Sequence, residues 1–141
     1  MPTEHAPAVA AARVQAVLDI PLHRFLGVQL LDPATPSAGI FFSVAEPAQN
    51  QAQLLHGGVV YTLLDVACFL ALIPHLRPDE HAVTHDLSVS LLRPVPAGAR
   101  VELAGTVLRR GRSVAFLRAE ATVNGEVVAA AQLTKSVVPL R

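Results

Sequence analysis

Cysteine is almost missing from this chain: Cys68 stands alone, so no internal disulfide can brace the fold and a packed core has to hold it. Charge is nearly as scarce. Asp, Glu, Lys and Arg make up 16% of the residues, against about 25% in an ordinary soluble domain. Eleven basic and eleven acidic side chains cancel, which leaves no broad field to draw nucleic acid or an anionic membrane, and neither is expected as a partner. Nothing near Met1 reads as a basic segment followed by an apolar one, so a cytoplasmic setting is expected. The longest apolar stretch, Val59 to Ile73, is interrupted by Asp65 and stopped by Pro74, short of the roughly 20 apolar residues a bilayer span takes. It reads as a buried helix of a globular domain. The sequence shows no internal repeat and no low-complexity segment.

What the chain has in quantity is apolar material, 52% of its residues. That is more than one small surface hides easily, and self-association is the natural outlet. With 141 residues it fits a single core. Residues 1–24 read as an N-terminal arm and helix, and 25–141 as one domain.

Met1 to Pro7 is short, Pro-containing and aperiodic, as a frayed terminus is. Ala8 to Asp19 is Ala-rich, with Val9, Val14, Val17 and Leu18 at near-helical spacing, and predicts a helix ending at Pro21. Phe25 to Leu31 and Gly39 to Ala45 are apolar runs too short for independent helices. They predict two strands joined by the loop Asp32-Pro33-Ala34-Thr35-Pro36-Ser37. The polar, irregular segment Glu46 to Leu55 leads into His56-Gly57-Gly58, after which Val59 to Ile73 runs for about four helical turns. From Val83 the period changes to two: Leu87, Val89 and Leu91 alternate with Asp86, Ser88 and Ser90, until Pro94-Val95-Pro96-Ala97-Gly98 ends the run in a turn. Val101 to Arg109, Ser113 to Val123 and Val127 to Val138 follow as strand-length runs. Arg110-Gly111-Arg112 and Asn124-Gly125 join them, the second a type I′ hairpin signal, so this half is expected to be an antiparallel meander. The order of elements predicts an α+β fold, an antiparallel sheet curled around one long central helix.

Asp65 breaks the pattern of that helix. It sits between Leu63-Leu64 and Val66-Ala67, where an unpaired carboxylate is costly to bury. Its neighbours at three and four residues' distance, Tyr61, Thr62, Cys68 and Phe69, offer hydroxyls but no cation. Alone, it could equally face water or an interface. Gly57 and Gly58 open the same helix, where the first backbone N–H groups lack partners and missing side chains admit a ligand oxygen. Such a site can polarise a carbonyl, although a glycine pair can also serve a tight entry turn only. Nine residues separate His56 from Asp65, which at about 100° and 1.5 Å per residue puts them on opposite faces about 13 Å apart. Both can act on one substrate only if a second helix approaches antiparallel, so the active site is expected at a two-fold interface.

Other chemistry-bearing residues weigh less. Arg109, Arg110 and Arg112 cluster at a hairpin, where guanidinium groups either grip phosphates or are simply solvated. His81 and His85 are four apart, but Pro78 and the strand pattern keep them off one helix face, and no metal site is expected. Cys68, with no cation or His in helical reach, reads as a small buried apolar side chain. Tyr61, the one Tyr, would pack near the two-fold axis.

Asn50, His56-Gly57-Gly58 and Asp65, followed by Leu92-Arg93-Pro94 and Gly98, resemble the phenylacetate-pathway (PaaI-like) branch of the hotdog-fold acyl-CoA thioesterases, over roughly Leu26 to Val138. The resemblance implies the hotdog fold, homodimers pairing into tetramers, and hydrolysis of an aryl or medium-chain acyl-CoA, with no cofactor beyond the coenzyme A of the substrate. By resemblance, Asp65 is the nucleophile or the general base, and the partner's Gly57 N–H polarises the thioester carbonyl with Gly58 beside it. Asn50 and His56 would orient water and substrate, and Thr84 would help place the attacking water. Arg110 and Arg112 are the candidates for the phosphates of coenzyme A. One departure is Gln53, where similar enzymes often carry Gly. The alternatives are a module that binds acyl-CoA without cleaving it, since fold does not fix function, and a hydratase or dehydratase, which the His56-Gly57-Gly58 pattern disfavours.

Overall fold

The structure, a computed structural model, describes residues 6–140; residues 1–5, most of the expected frayed terminus, lie outside the described residues. The chain opens with α1 (Ala6–Leu18) and α2 (Pro21–Phe25), then β1 (Gln29–Leu30) and β2 (Ile40–Ser43). The long helix α3 (Gly57–Leu72) follows, and β3 (Glu80–Leu91), β4 (Arg100–Arg110), β5 (Val114–Val123) and β6 (Glu126–Pro139) complete the fold. All six strands form one antiparallel sheet in the order β1-β2-β4-β5-β6-β3. The sheet wraps α3, as the resemblance implies.

Three expectations change. Pro21 opens a helix rather than closing one, because the first helical position needs no N–H and suits the fixed φ of proline. Of the run expected as a strand from Phe25 to Leu31, only Gln29 and Leu30 pair with β2. The four C-terminal strands are not a simple meander either. β4, β5 and β6 are consecutive neighbours, but β3 lies at the far edge against β6. The segment after Leu91 is therefore a crossover, tied down where Leu92 and Arg93 donate to the Val128 carbonyl and Leu55 donates to that of Val95. At Asn124-Gly125 both residues have positive φ, 51° and 79°, as the type I′ turn requires.

The core is the seam between α3 and the sheet. Leu63, Leu64, Leu70 and Leu72 are fully buried on the helix, facing Ile40, Phe42, Leu103, Leu117 and Leu133, each such side chain contributing roughly 1.5–3 kcal/mol. The helix lies very low at one point: a Cβ on Gly105 of β4 would stand 2.9 Å from the Ala67 carbonyl oxygen and the Cys68 Cα, so only glycine fits. With the 3-10 turn that follows it, the helical segment Gly57–His75 is 19 residues, long and apolar enough to cross a bilayer by length and composition alone. Its place under the sheet accounts for that composition, as the core helix of a globular fold.

Candidate active site

Asp65 lies halfway along α3, on the flank that turns toward the β6–β3 edge of the sheet. Its Oδ1 accepts a hydrogen bond from Thr84 Oγ of β3 at 2.6 Å and another from Lys135 Nζ of β6 at 2.7 Å. Lys135 Nζ also donates to Thr84 Oγ at 2.5 Å and stands 5.7 Å from the centroid of Phe69. Oδ2 takes no hydrogen bond among the described residues. The Asp65 side chain is 39% exposed and that of Lys135 only 3%, so solvent reaches the pair from the carboxylate side.

That side is a cleft of about 800 Å³, within the size range of small-molecule sites. Its walls are mostly apolar, from Val17, Val66, Phe69 and Leu87, with Tyr61 and His23 among the polar members. The buried His23 ring donates from Nδ1 to the Val17 carbonyl at 2.8 Å, which fixes the turn between α1 and α2. Arg13, also at the cleft, donates to the carbonyls of Arg77, Pro78 and Glu80, and so ties α1 to the start of β3.

Thr84 reaches Asp65 because β3 is irregular. The register of β3 against β6 shifts between Thr84 and Asp86, leaving His85 as the extra residue of a bulge, a device that re-aims side chains beside functional sites. Below the bulge Leu87, Val89 and Leu91 pair with Leu133, Ala131 and Ala129; above it Thr84 pairs with Lys135.

The helix N-terminus is a separate place. His56 is the N-cap: its Nδ1 accepts from Gly58 N at 2.9 Å, which leaves Nε2 to carry the ring proton. His56 O accepts from Val59 N and Val60 N, while Gly57 N–H has no acceptor among the described residues. Asn50 shapes the loop before it, its Oδ1 accepting from Ala52 N and Leu54 N. Gln53 sits at φ 60°, the left-handed conformation that glycine adopts without penalty, so the departure from the resembling pattern falls where Gln bears strain and the loop keeps its turn. Asn50 and Gly57 line a smaller cavity of about 230 Å³ with Leu91, Arg93 and Pro94, distinct from the cleft of Asp65.

The structure therefore brings Thr84 to Asp65, groups Asn50, His56, Gly57 and Gly58 at the helix start, and keeps the two groups apart within one copy, as the helical geometry requires. Arg110 stands apart from both. Its guanidinium donates to Glu80 Oε1 at 2.5 Å and to the carbonyls of His75, Gly111 and Arg112, so it clamps the β4–β5 turn to β3 and has one N–H left over. Arg112 is exposed in that turn. Cys68 is buried, and burial pushes its thiol up to about 12, with the Lys135 ammonium pulling it down and Asp65 adding to the rise. It is a packed side chain, not a nucleophile. Lys135 is the residue that sequence reasoning missed. The signal was there: it occupies the apolar face of a strand whose other inward residues are Ala129, Ala131, Leu133 and Val137.

A family profile described as the thioesterase superfamily matches residues 52–130, from the loop before α3 into β6. The chain belongs to the thioesterase superfamily. Within that family it is 30% identical to human acyl-coenzyme A thioesterase 13 over 115 residues, 79% of this chain and 81% of the human one. Among solved structures, a mutant of the phenylacetic acid degradation protein PaaI from Thermus thermophilus is 29% identical, with a TM-score of 0.73 over 83% of this chain and 98% of that one. A thioesterase from Haemophilus influenzae, 21% identical, superposes with a TM-score of 0.81 over 92% and 90% of the two chains, a likeness of fold. The matched profile spans both the helix N-terminus and Asp65.

Proposed function

We propose that the chain hydrolyses acyl-CoA thioesters with Asp65 as the reacting carboxylate. The observation that carries this is the state of Asp65: one oxygen is held by Thr84 and Lys135 while the other is free in an apolar cleft. Overall, water cleaves the C–S bond and the products are the free acid and the thiol of coenzyme A. Asp65 Oδ2 either takes the proton of the attacking water and passes it to the departing sulfur, or attacks the carbonyl itself, expelling the thiolate and forming an anhydride that water then cleaves. The charge that develops on the carbonyl oxygen needs donors, and Gly57 N–H, without an acceptor of its own at the start of a 16-residue helix, is suited to that role. This reading asks for no metal or redox cofactor.

Since Gly57 and Asp65 of one copy open into different cavities, the reading places the complete site between two copies, with Gly57 of one facing Asp65 of the other. Their helices would lie antiparallel about a two-fold axis. The edge strand β3 gives the second contact: its outer edge has no partner strand among the described residues, and a twelve-residue edge is suited to pairing with its own copy. We take the assembly to be a dimer that pairs into a tetramer in the cytoplasm. The cleft suits an aryl or medium-chain acyl group, and Arg112 is the better candidate of the two arginines for a coenzyme A phosphate.

The test is thiol release from a panel of aryl and aliphatic acyl-CoAs by the native chain and by Asp65→Asn. Turnover that falls at least about a hundredfold in the variant supports the assignment and ranks the substrates. Tight acyl-CoA binding with no turnover by the native chain across the panel would replace it with a binding module.

A further inference from the structure

Lys135 is the one lysine of the chain, and no step proposed above uses it. An ammonium is so costly to desolvate that it persists under a sheet only where it is paired and hydrogen-bonded. Lys135 meets that condition through Asp65 Oδ1 and Thr84 Oγ, with the Phe69 ring 5.7 Å away within cation–π range. Its neighbours on the inward face of β6, Ala131, Leu133 and Val137, are buried and apolar, and offer it no other acceptor.

The two donors converge on the same oxygen. Lys135 Nζ and Thr84 Oγ both reach Oδ1, from β6 and β3, strands paired to each other at these two residues. The oxygens of a free carboxylate are equivalent until their surroundings distinguish them. Two donors fixed in the sheet set the plane of the carboxylate and leave Oδ2 as the oxygen with an open lone pair, turned to the cleft. We infer that Lys135 is a positioning residue for the reaction: with Thr84 it selects Oδ2 of Asp65 as the reacting oxygen and holds it in one orientation. Thr84 alone does this less firmly, because one hydrogen bond opposes rotation about the Cβ–Cγ bond more weakly than two donors fixed in the sheet. This rests on the reading of Asp65 as the reacting carboxylate. It adds the distinction between a lysine that merely neutralises a buried charge and one that aims it.

The first test is Lys135→Met, which keeps the length and apolar stem and removes the ammonium. Lys135 borders the cleft, but its side chain is only 3% exposed and its ammonium is taken up by Asp65 and Thr84, so kcat is expected to fall about thirtyfold or more while KM stays within about threefold. A purely structural lysine would lower thermal stability and leave kcat per folded molecule alone, so a kcat within about threefold of the native chain would overturn the inference. Should the variant not fold, Lys135→Arg carries the test, because it keeps the positive charge beside Asp65 and changes where the donors stand. A kcat that falls about thirtyfold with the charge retained supports the inference; a kcat within about threefold of the native chain means that charge alone serves, and overturns it. No turnover by the native chain across the acyl-CoA panel would instead sink the thioesterase reading.

Discussion

Glu80 and Asp65 each meet a cation across this fold, Glu80 with Arg110 at the outer end of β3 and Asp65 with Lys135 four residues further along the same strand pair. Both oxygens of Glu80 are engaged: Oε1 accepts from Arg110 and from Arg77 N, and Oε2 lies 3.5 Å from the Arg77 guanidinium. Its side chain is 8% exposed and lines neither the cleft of Asp65 nor the cavity at the helix start. Burial would raise its carboxyl, but the hydrogen bonds from Arg110 and the Arg77 N–H, with the charges of both arginines, outweigh that and hold it below its ordinary value of 4.5. At Asp65 one oxygen is engaged, the other is free, and a cleft opens beside it. A carboxylate satisfied at both oxygens fixes a fold; one satisfied at a single oxygen, with the second open to a cavity, is equipped for chemistry.

The largest expected effect tests that division in turnover. Asp65→Asn should lose at least about a hundredfold in kcat/KM, roughly 2.7 kcal/mol of transition-state stabilisation, while Glu80→Gln should stay within about threefold of the native chain in the same thiol-release assay. A comparable loss from Glu80→Gln would erase the distinction. In stability the asymmetry of the Asp65 pair should show. Asp65→Asn strands an ammonium whose side chain is 3% exposed and should cost about 2–3 kcal/mol in urea unfolding. Adding Lys135→Met to it should restore most of that loss without restoring turnover, an interaction that a double-mutant cycle reads directly.

Glu80→Gln should be milder, about 1–2 kcal/mol at neutral pH, and its sign with pH follows from the lowered carboxyl. A group held below its ordinary value contributes stability above that value, here 4.5, and loses it as pH falls through the folded value. The gap in unfolding midpoint between the native chain and the variant should therefore be constant from about pH 6 to 8 and close as pH drops below 4.5. A gap that widened in acid would contradict the assignment. The smallest effect concerns the third ionisable group against this wall. Buried and with its thiol raised to about 12, Cys68 should react with a disulfide reagent only on unfolding, at a rate that rises with urea and falls when substrate stabilises the native chain.

How much of this was legible in the sequence depends on whether a residue obeys or breaks its local period. Asp65 broke a helical apolar pattern and stood out at once. Lys135 breaks a period of two as plainly, between Leu133 and Val137, yet on a strand alternation makes polar residues look ordinary unless the face is tracked. Thr84 entered by resemblance alone, because alternation hides it: counted back from Leu87 and Val89 it shares a face with Asp86 and Ser88, and only the bulge at His85 turns it inward. Such a bulge is a matter of pairing with β6, which no local pattern records. The far-edge position of β3 has the same cause. Every strand after it was readable as a strand, but which two neighbour each other is settled by packing over α3. Asn124-Gly125 and His56-Gly57-Gly58, whose conformations are fixed by the residues themselves, were readable without any partner.

The close approach at Gly105 has a consequence for how this enzyme can diversify. Where the helix backbone rests on β4 with no room for a Cβ, the floor under α3 cannot be thickened residue by residue; a bulkier side chain there would lift the helix, and with it the height of Asp65 above Thr84 and Lys135. New substrate preferences would have to be sought across the cleft, at its exposed positions such as Ile20, Tyr61 and Val83, where side chains can change size without moving the carboxylate. The fold is rigid on the side that sets the chemistry and permissive on the side that would meet the acyl group.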